Sequence, residues 1–131
     1  MLKILELFST LRMRWYYPVS LPADISLALG IDLPQKKIAF EDLMRFLISP
    51  KIRPKRLKRF MPREKAEAVF NGAVRKDVFA YNSVYSYYFR NGWLEFILQF
   101  DNKSRLRRIY VQHKDIYQDD GVEINLNTLS A

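Results

Sequence analysis

Ser83-Val84-Tyr85-Ser86-Tyr87-Tyr88-Phe89-Arg90-Asn91-Gly92-Trp93-Leu94-Glu95-Phe96-Ile97-Leu98-Gln99-Phe100 carries large side chains at every second position on both sides of an Asn-Gly pair. Period-two alternation is the mark of a strand, and Asn-Gly between two such runs is the strongest short hairpin signal. A two-residue turn at Asn91-Gly92 pairs Arg90 with Trp93, Tyr88 with Glu95 and Ser86 with Ile97 on one face. It pairs Phe89 with Leu94, Tyr87 with Phe96 and Tyr85 with Leu98 on the other. The second face is the more apolar and is predicted to cover helices. Asp101 to Ser104 read as the next turn and Arg105 to Lys114 as a third strand with Ile109 and Val111 inward. After the acidic Asp119-Asp120-Gly121 turn, Val122 to Leu126 read as a short edge strand.

Upstream of Ser83 the period is helical. Leu2, Leu5, Phe8, Leu11 and Trp15 predict an amphipathic helix that Pro18 ends. A short helix is expected from Pro22 to Leu29 with Gly30 as its stop, and another from Phe40 to Ile48 closed by Pro50. Pro62 opens a further helix, with Glu64 in its first turn and Ala66, Val69, Phe70, Ala73 and Val74 as its buried stripe. The expected fold class is therefore α+β: a helical N-terminal half packed on a three- to four-stranded antiparallel β-meander. Residues 1–131 form one domain, mainly helical over 1–80 and sheet over 83–126.

The chain has 131 residues, 49% apolar and 15% aromatic, enough for a core that buries about two-thirds of the unfolded surface. With no cysteine and one histidine, His113, disulfides and Cys-based or His-rich metal sites are excluded, and no cofactor is expected. No stretch reaches the roughly 20 uncharged apolar residues of a spanning helix, and no cleavable signal is recognised, so a cytoplasmic location is expected.

All of the net charge of +8 lies between Lys51 and Arg90, where eleven Lys and Arg face Glu64, Glu67 and Asp77. Lys51, Arg53, Lys55, Arg56, Lys58 and Arg59 form a basic arm over 51–59, interleaved with Ile52, Pro54 and Leu57. Pro54 suits the start of a helical turn that would set Leu57, Phe60 and Met61 toward the protein and Lys55, Arg56 and Arg59 toward solvent. Such a field attracts an acidic or anionic macromolecule. The outward sheet face adds Tyr88, Trp93 and Tyr110 as aromatic anchors beside Arg90 and Arg108. Aromatic residues next to arginines also suit base stacking, but Glu95 at mid-strand opposes phosphate.

The text from Met61 to Val111, about two-fifths of the chain, resembles the repeat unit of α+β modules of the β-lactamase-inhibitor-protein type, related to the small outer-membrane lipoprotein A family. The matching residues are Met61-Pro62-Arg63-Glu64-Lys65-Ala66-Glu67, Gly72-Ala73-Val74-Arg75, Tyr87-Tyr88-Phe89 and Leu98-Gln99-Phe100-Asp101, followed by Arg105-Leu106-Arg107-Arg108-Ile109. Pro62 stands where that pattern has Thr, Gly72 lacks the following Pro, and there is no lipobox cysteine. The resemblance implies helices laid on an antiparallel meander, a scaffold used for gripping other proteins.

His113 has no partner in the sequence that would make it a general base, and there is no Gly-rich phosphate loop or Gly-x-Ser-x-Gly. The expected function is non-enzymatic: a protein-interaction adaptor, chaperone or accessory subunit with no catalytic residues. The alternative is DNA or RNA binding through Lys51 to Arg59. A protein partner is favoured over nucleic acid, and a homodimer stays open.

Overall fold

A computed structural model describes residues 19–31, 39–49, 53–90, 92–113 and 121–128. The expected N-terminal helix, Lys51, Asn91 and the Asp119-Asp120 turn lie outside them. Helix α1 spans Pro22–Leu29. Pro22 supplies a preset φ at its start, and Gly30 at φ 75° closes it in the left-handed conformation that a side chain resists. Helix α2 spans Phe40–Leu47; the Ala39 N–H donates to Asp42 Oδ2 at 3.2 Å. Both helices match the sequence expectation to within a residue.

The helical half does not extend to residue 80. Helix α3 ends at Ala68 (Arg63–Ala68), and Arg75–Val78 form a strand, β2. Ala66 and Phe70 are buried as the helical stripe predicts, while Val74 already bonds to β3 through its N–H and the Ser86 carbonyl at 2.9 Å. Strands β3 (Asn82–Phe89), β4 (Gly92–Phe100), β5 (Leu106–Gln112) and β6 (Val122–Glu123) follow. With β2 they make a five-stranded antiparallel sheet in the order β2-β3-β4-β5-β6. Lys58–Arg59 (β1) and Asn127–Thr128 (β7) add a separate parallel pair. The expected helical half on a three- to four-stranded meander is thus corrected to a mostly sheet fold with short helices.

The hairpin faces are as predicted but the register differs. Tyr88 pairs with Trp93, Tyr87 with Leu94, Tyr85 with Phe96 and Phe89 with Gly92, which stands at φ 120°. The displacement is two residues, which leaves every side chain on its predicted face.

The inner face of the sheet is the core. Leu94, Phe96, Leu98, Ile109 and Val111 are fully buried, with Tyr85, Tyr87 and Phe89 nearly so. Phe70 from just beyond α3 stacks on Tyr85 at 5.1 Å and meets Phe96 at 5.2 Å, and Tyr87 meets Phe96 edge-on at 5.8 Å. Rings at these separations add to the stabilisation that burial alone supplies. Phe40 of α2 packs on Phe89 at 4.8 Å.

Burial, aided for Tyr85 by the Glu67 carboxylate and for Tyr87 by Tyr85, pushes both phenols from 10.0 up to about 12. An unfolded chain releases these protons near pH 10, whereas the folded chain holds them. Their contribution is therefore complete below about pH 10 and is lost as pH rises to about 12. Denaturation midpoints followed with tyrosinate absorbance are expected to fall across that window. A flat midpoint there contradicts the burial of both hydroxyls.

Candidate functional site

The basic segment is a docked strap, not a free arm. The Lys55 N–H donates to the Gly30 carbonyl at 3.2 Å and the Arg56 N–H to the Leu29 carbonyl at 3.1 Å, so the strap satisfies the open end of α1. A Cβ on Gly30 would sit 3.1 Å from the Arg56 backbone nitrogen, a tight approach that adds to the preference for glycine set by φ. Pro54, Leu57 and Met61 are buried; Arg53, Lys55, Arg56 and Lys58 are exposed and Arg59 is half-buried. Arg53 Nη1 donates to Asn127 Oδ1 at 3.2 Å, beside the β1–β7 pair. No helical turn begins at Pro54. The strap bends at Lys55 and Arg56 without coiling into a helix, because its hydrogen bonds go to other segments.

Lys58 to Met61 then form a turn closed by the Met61 N–H and the Lys58 carbonyl at 3.2 Å, with Phe60 at φ 73°. Positive φ at the third turn position is glycine's place, and a bulky residue held there stores strain. The Phe60 N–H donates to the Leu106 carbonyl at 2.6 Å and the Leu106 N–H to the Met61 carbonyl at 2.9 Å. The expectation that Phe60 faces the protein is corrected: it is 38% exposed, with the Arg105 guanidinium over its ring at 5.3 Å. Asp101 fixes that guanidinium by accepting from Arg105 Nε at 3.0 Å, and its Oδ1 accepts from the Lys103 and Arg105 N–H groups at 2.9 Å. Desolvation of the carboxyl is the largest single influence and works upward, but the Arg105 and Lys103 backbone bonds, the Arg105 side-chain bond and its charge together outweigh it and hold Asp101 below the usual carboxylate range.

A register irregularity between Gln99 and Phe100 leaves both Arg107 and Arg108 exposed on β5. Arg107 follows the residue that Phe60 bonds, so Arg56, Lys58, Arg59 and Arg107 all lie close in backbone path to the Phe60–Leu106 bond. Among the described residues no carboxylate lies within 4.0 Å of these four. Phe60 and Arg107 were missed from sequence because neither a strained turn nor a bulge has a spacing signature.

The aromatic anchors fall elsewhere and are engaged within the chain. Tyr88 is 5% exposed and lies 5.2 Å from Trp93, over which Arg75 sits at 6.0 Å. Tyr110 is half-buried, and its hydroxyl together with Glu123 reinforces the protonation of Arg108, which lies 4.0 Å from Glu123. Arg90 is exposed at the β3–β4 turn. The outer face also carries Asp77, Glu95 and Glu123, so its charge is mixed. His113 is 3% exposed and packs on Phe40 at 4.9 Å.

A cleft of about 300 Å³ is lined by residues including Ser20, Asp24, Ile25, Gly72, Val74 and Tyr87. Among the described residues, Asp24 is its one charged group and no base or nucleophile pair converges on it. Among the described residues no cluster of three His, Asp or Glu side chains forms, and no helix is long and apolar enough to cross a membrane. No family model, characterised protein or solved structure matches the chain.

Proposed function

We propose that this chain is a non-enzymatic protein-binding module that grips an acidic partner through the cationic surface around Phe60. The observation that carries the reading is a strained, half-exposed aromatic ring in a stretch of backbone whose four cations, Arg56, Lys58, Arg59 and Arg107, have no carboxylate within 4.0 Å among the described residues. Strain held by surrounding hydrogen bonds marks a position kept for something other than stability, and an aromatic anchor ringed by charge is the composition of an interface hot spot. The charges steer and orient the partner; the ring supplies affinity. The resemblance of residues 61–111 to protein-gripping α+β modules points the same way. Nucleic acid is the lesser reading, since Tyr88 is buried and the outer sheet face carries Asp77, Glu95 and Glu123 among its aromatics.

Phe60→Gly tests this reading because it separates stability from binding. Relief of the positive φ is worth about 1 kcal/mol and offsets much of the packing lost with a partly covered ring. The thermal midpoint is expected to stay within a few degrees of wild type. Affinity for a random copolymer of glutamate and tyrosine, measured by fluorescence anisotropy, is expected to fall about tenfold. Unchanged affinity removes Phe60 from the site.

A further inference from the structure

Among the described residues, the first edge of the sheet has no pairing strand and is chemically marked. The Phe79 N–H donates to the Asn82 carbonyl at 2.8 Å across a two-residue loop, which makes Phe79 and Asn82 a hydrogen-bonded position of the β2–β3 ladder. Counting by two along the β2–β3 register, Asp77 bonds Val84 and Arg75 bonds Ser86. Lys76 and Val78 therefore direct their N–H and C=O groups away from the sheet, and no other described backbone group bonds them. At the end of the same strand Val78, Phe79 and Tyr81 are 63%, 59% and 61% exposed. The Arg63 guanidinium fixes this tip by donating to the Phe79 and Ala80 carbonyls, each at 2.7 Å.

The geometry points to β2 as a docking edge for an extended acidic peptide of a partner protein. The peptide pairs with the outward groups of Lys76 and Val78 and adds a sixth strand to the five-stranded sheet. An acidic side chain opposite Lys76 meets its ammonium, and an apolar one two positions along meets Val78 beside Phe79 and Tyr81. A short strand carrying a lysine is also how proteins protect an edge from their own copies. Here the same charges select the occupant. The antiparallel self-pairings that engage Lys76 in both copies set Lys76 against Lys76 or Asp77 against Asp77, whereas an acidic strand meets no like charge at Lys76. Edge protection alone gives no reason for three exposed apolar side chains on a tip held by two charge-assisted hydrogen bonds. This inference concerns the opposite side of the sheet from β5 and does not depend on the Phe60 surface.

The probe is a blocked Glu-Thr-Val-Thr-Glu-Thr-Val peptide, which sets glutamate and valine alternately on one face of a strand, titrated into the full chain by NMR. The Lys76 and Val78 amides are expected to shift and become protected from exchange. N-methylation of the Glu and Val nitrogens removes the strand's donors and is expected to weaken binding about tenfold. Lys76→Glu is expected to lose a similar factor and to turn the preference toward the peptide with lysine in place of glutamate. No binding at millimolar peptide overturns the inference, as does binding indifferent to N-methylation. Loss of peptide binding on reversing Arg56, Lys58 and Arg107 but not Lys76 also overturns it, and assigns the peptide to the cationic surface instead.

Discussion

Arg63→Ala is expected to lower stability by about 2–4 kcal/mol, a large share of the 5–15 kcal/mol typical of a domain. Two-residue hairpin loops normally use residues with positive φ, yet neither Ala80 nor Tyr81 has one. Arg63 compensates from α3: its guanidinium binds the Phe79 and Ala80 carbonyls and Ser83 Oγ at 3.2 Å, lies 3.4 Å from Glu67, and covers the Phe100 ring at 4.5 Å. The Ser83 hydroxyl donates in turn to Glu67. Removing the arginine leaves Glu67 and Ser83 without their cation in a partly buried place, which costs more than the bonds themselves. A drop in thermal midpoint of about 10 °C follows for a chain of this length. Arg63→Lys recovers only part of it, because an ammonium cannot fork between two carbonyls. A midpoint within about 2 °C of wild type for Arg63→Ala contradicts this role.

Reversing Arg56, Lys58 and Arg107 together to glutamate is expected to weaken binding of the glutamate–tyrosine copolymer by about thirtyfold or more at low salt. All three side chains are exposed, so the fold bears little of the cost. Arg59 is left in place because its Nε is enclosed and its reversal would disturb packing. At about 0.15 M salt the screening length is near 8 Å, so the loss should shrink but persist where partner carboxylates make direct contact.

Strands β3, β4 and β5 and the ends of α1 and α2 were legible because burial on one side imposes a period and because proline and glycine mark helix ends. The hairpin register was not. Asn-Gly reads as the centre of a turn, but Gly92, at φ 120°, pairs with Phe89 as the first residue of β4. Strand β2 was hidden twice over. Ala66, Val69, Phe70 and Ala73 continue a helical stripe past the true end of α3, and Arg75-Lys76-Asp77-Val78, an exposed edge, has no apolar alternation. Strands of two residues, β1 and β7, have no period to read. The cations of the site were legible as composition. Their docking was not, because it rests on backbone bonds from Lys55, Arg56 and Phe60 to Gly30, Leu29 and Leu106, which leave no trace in side-chain pattern. Arg63 was likewise invisible, since its partners are backbone carbonyls distant in sequence.

A localised site and a diffuse attraction for a chain of net charge +8 are separated by one comparison: copolymer affinity at about 0.15 M salt for two triple reversals of equal charge. One reverses Arg56, Lys58 and Arg107; the other reverses the exposed Arg45, Lys65 and Arg90. A loss of about tenfold or more in the first and less than about threefold in the second is the expected result. Equal losses in both, or tighter binding of mixed-sequence duplex DNA than of the copolymer by the wild-type chain, contradict an acidic-protein site around Phe60.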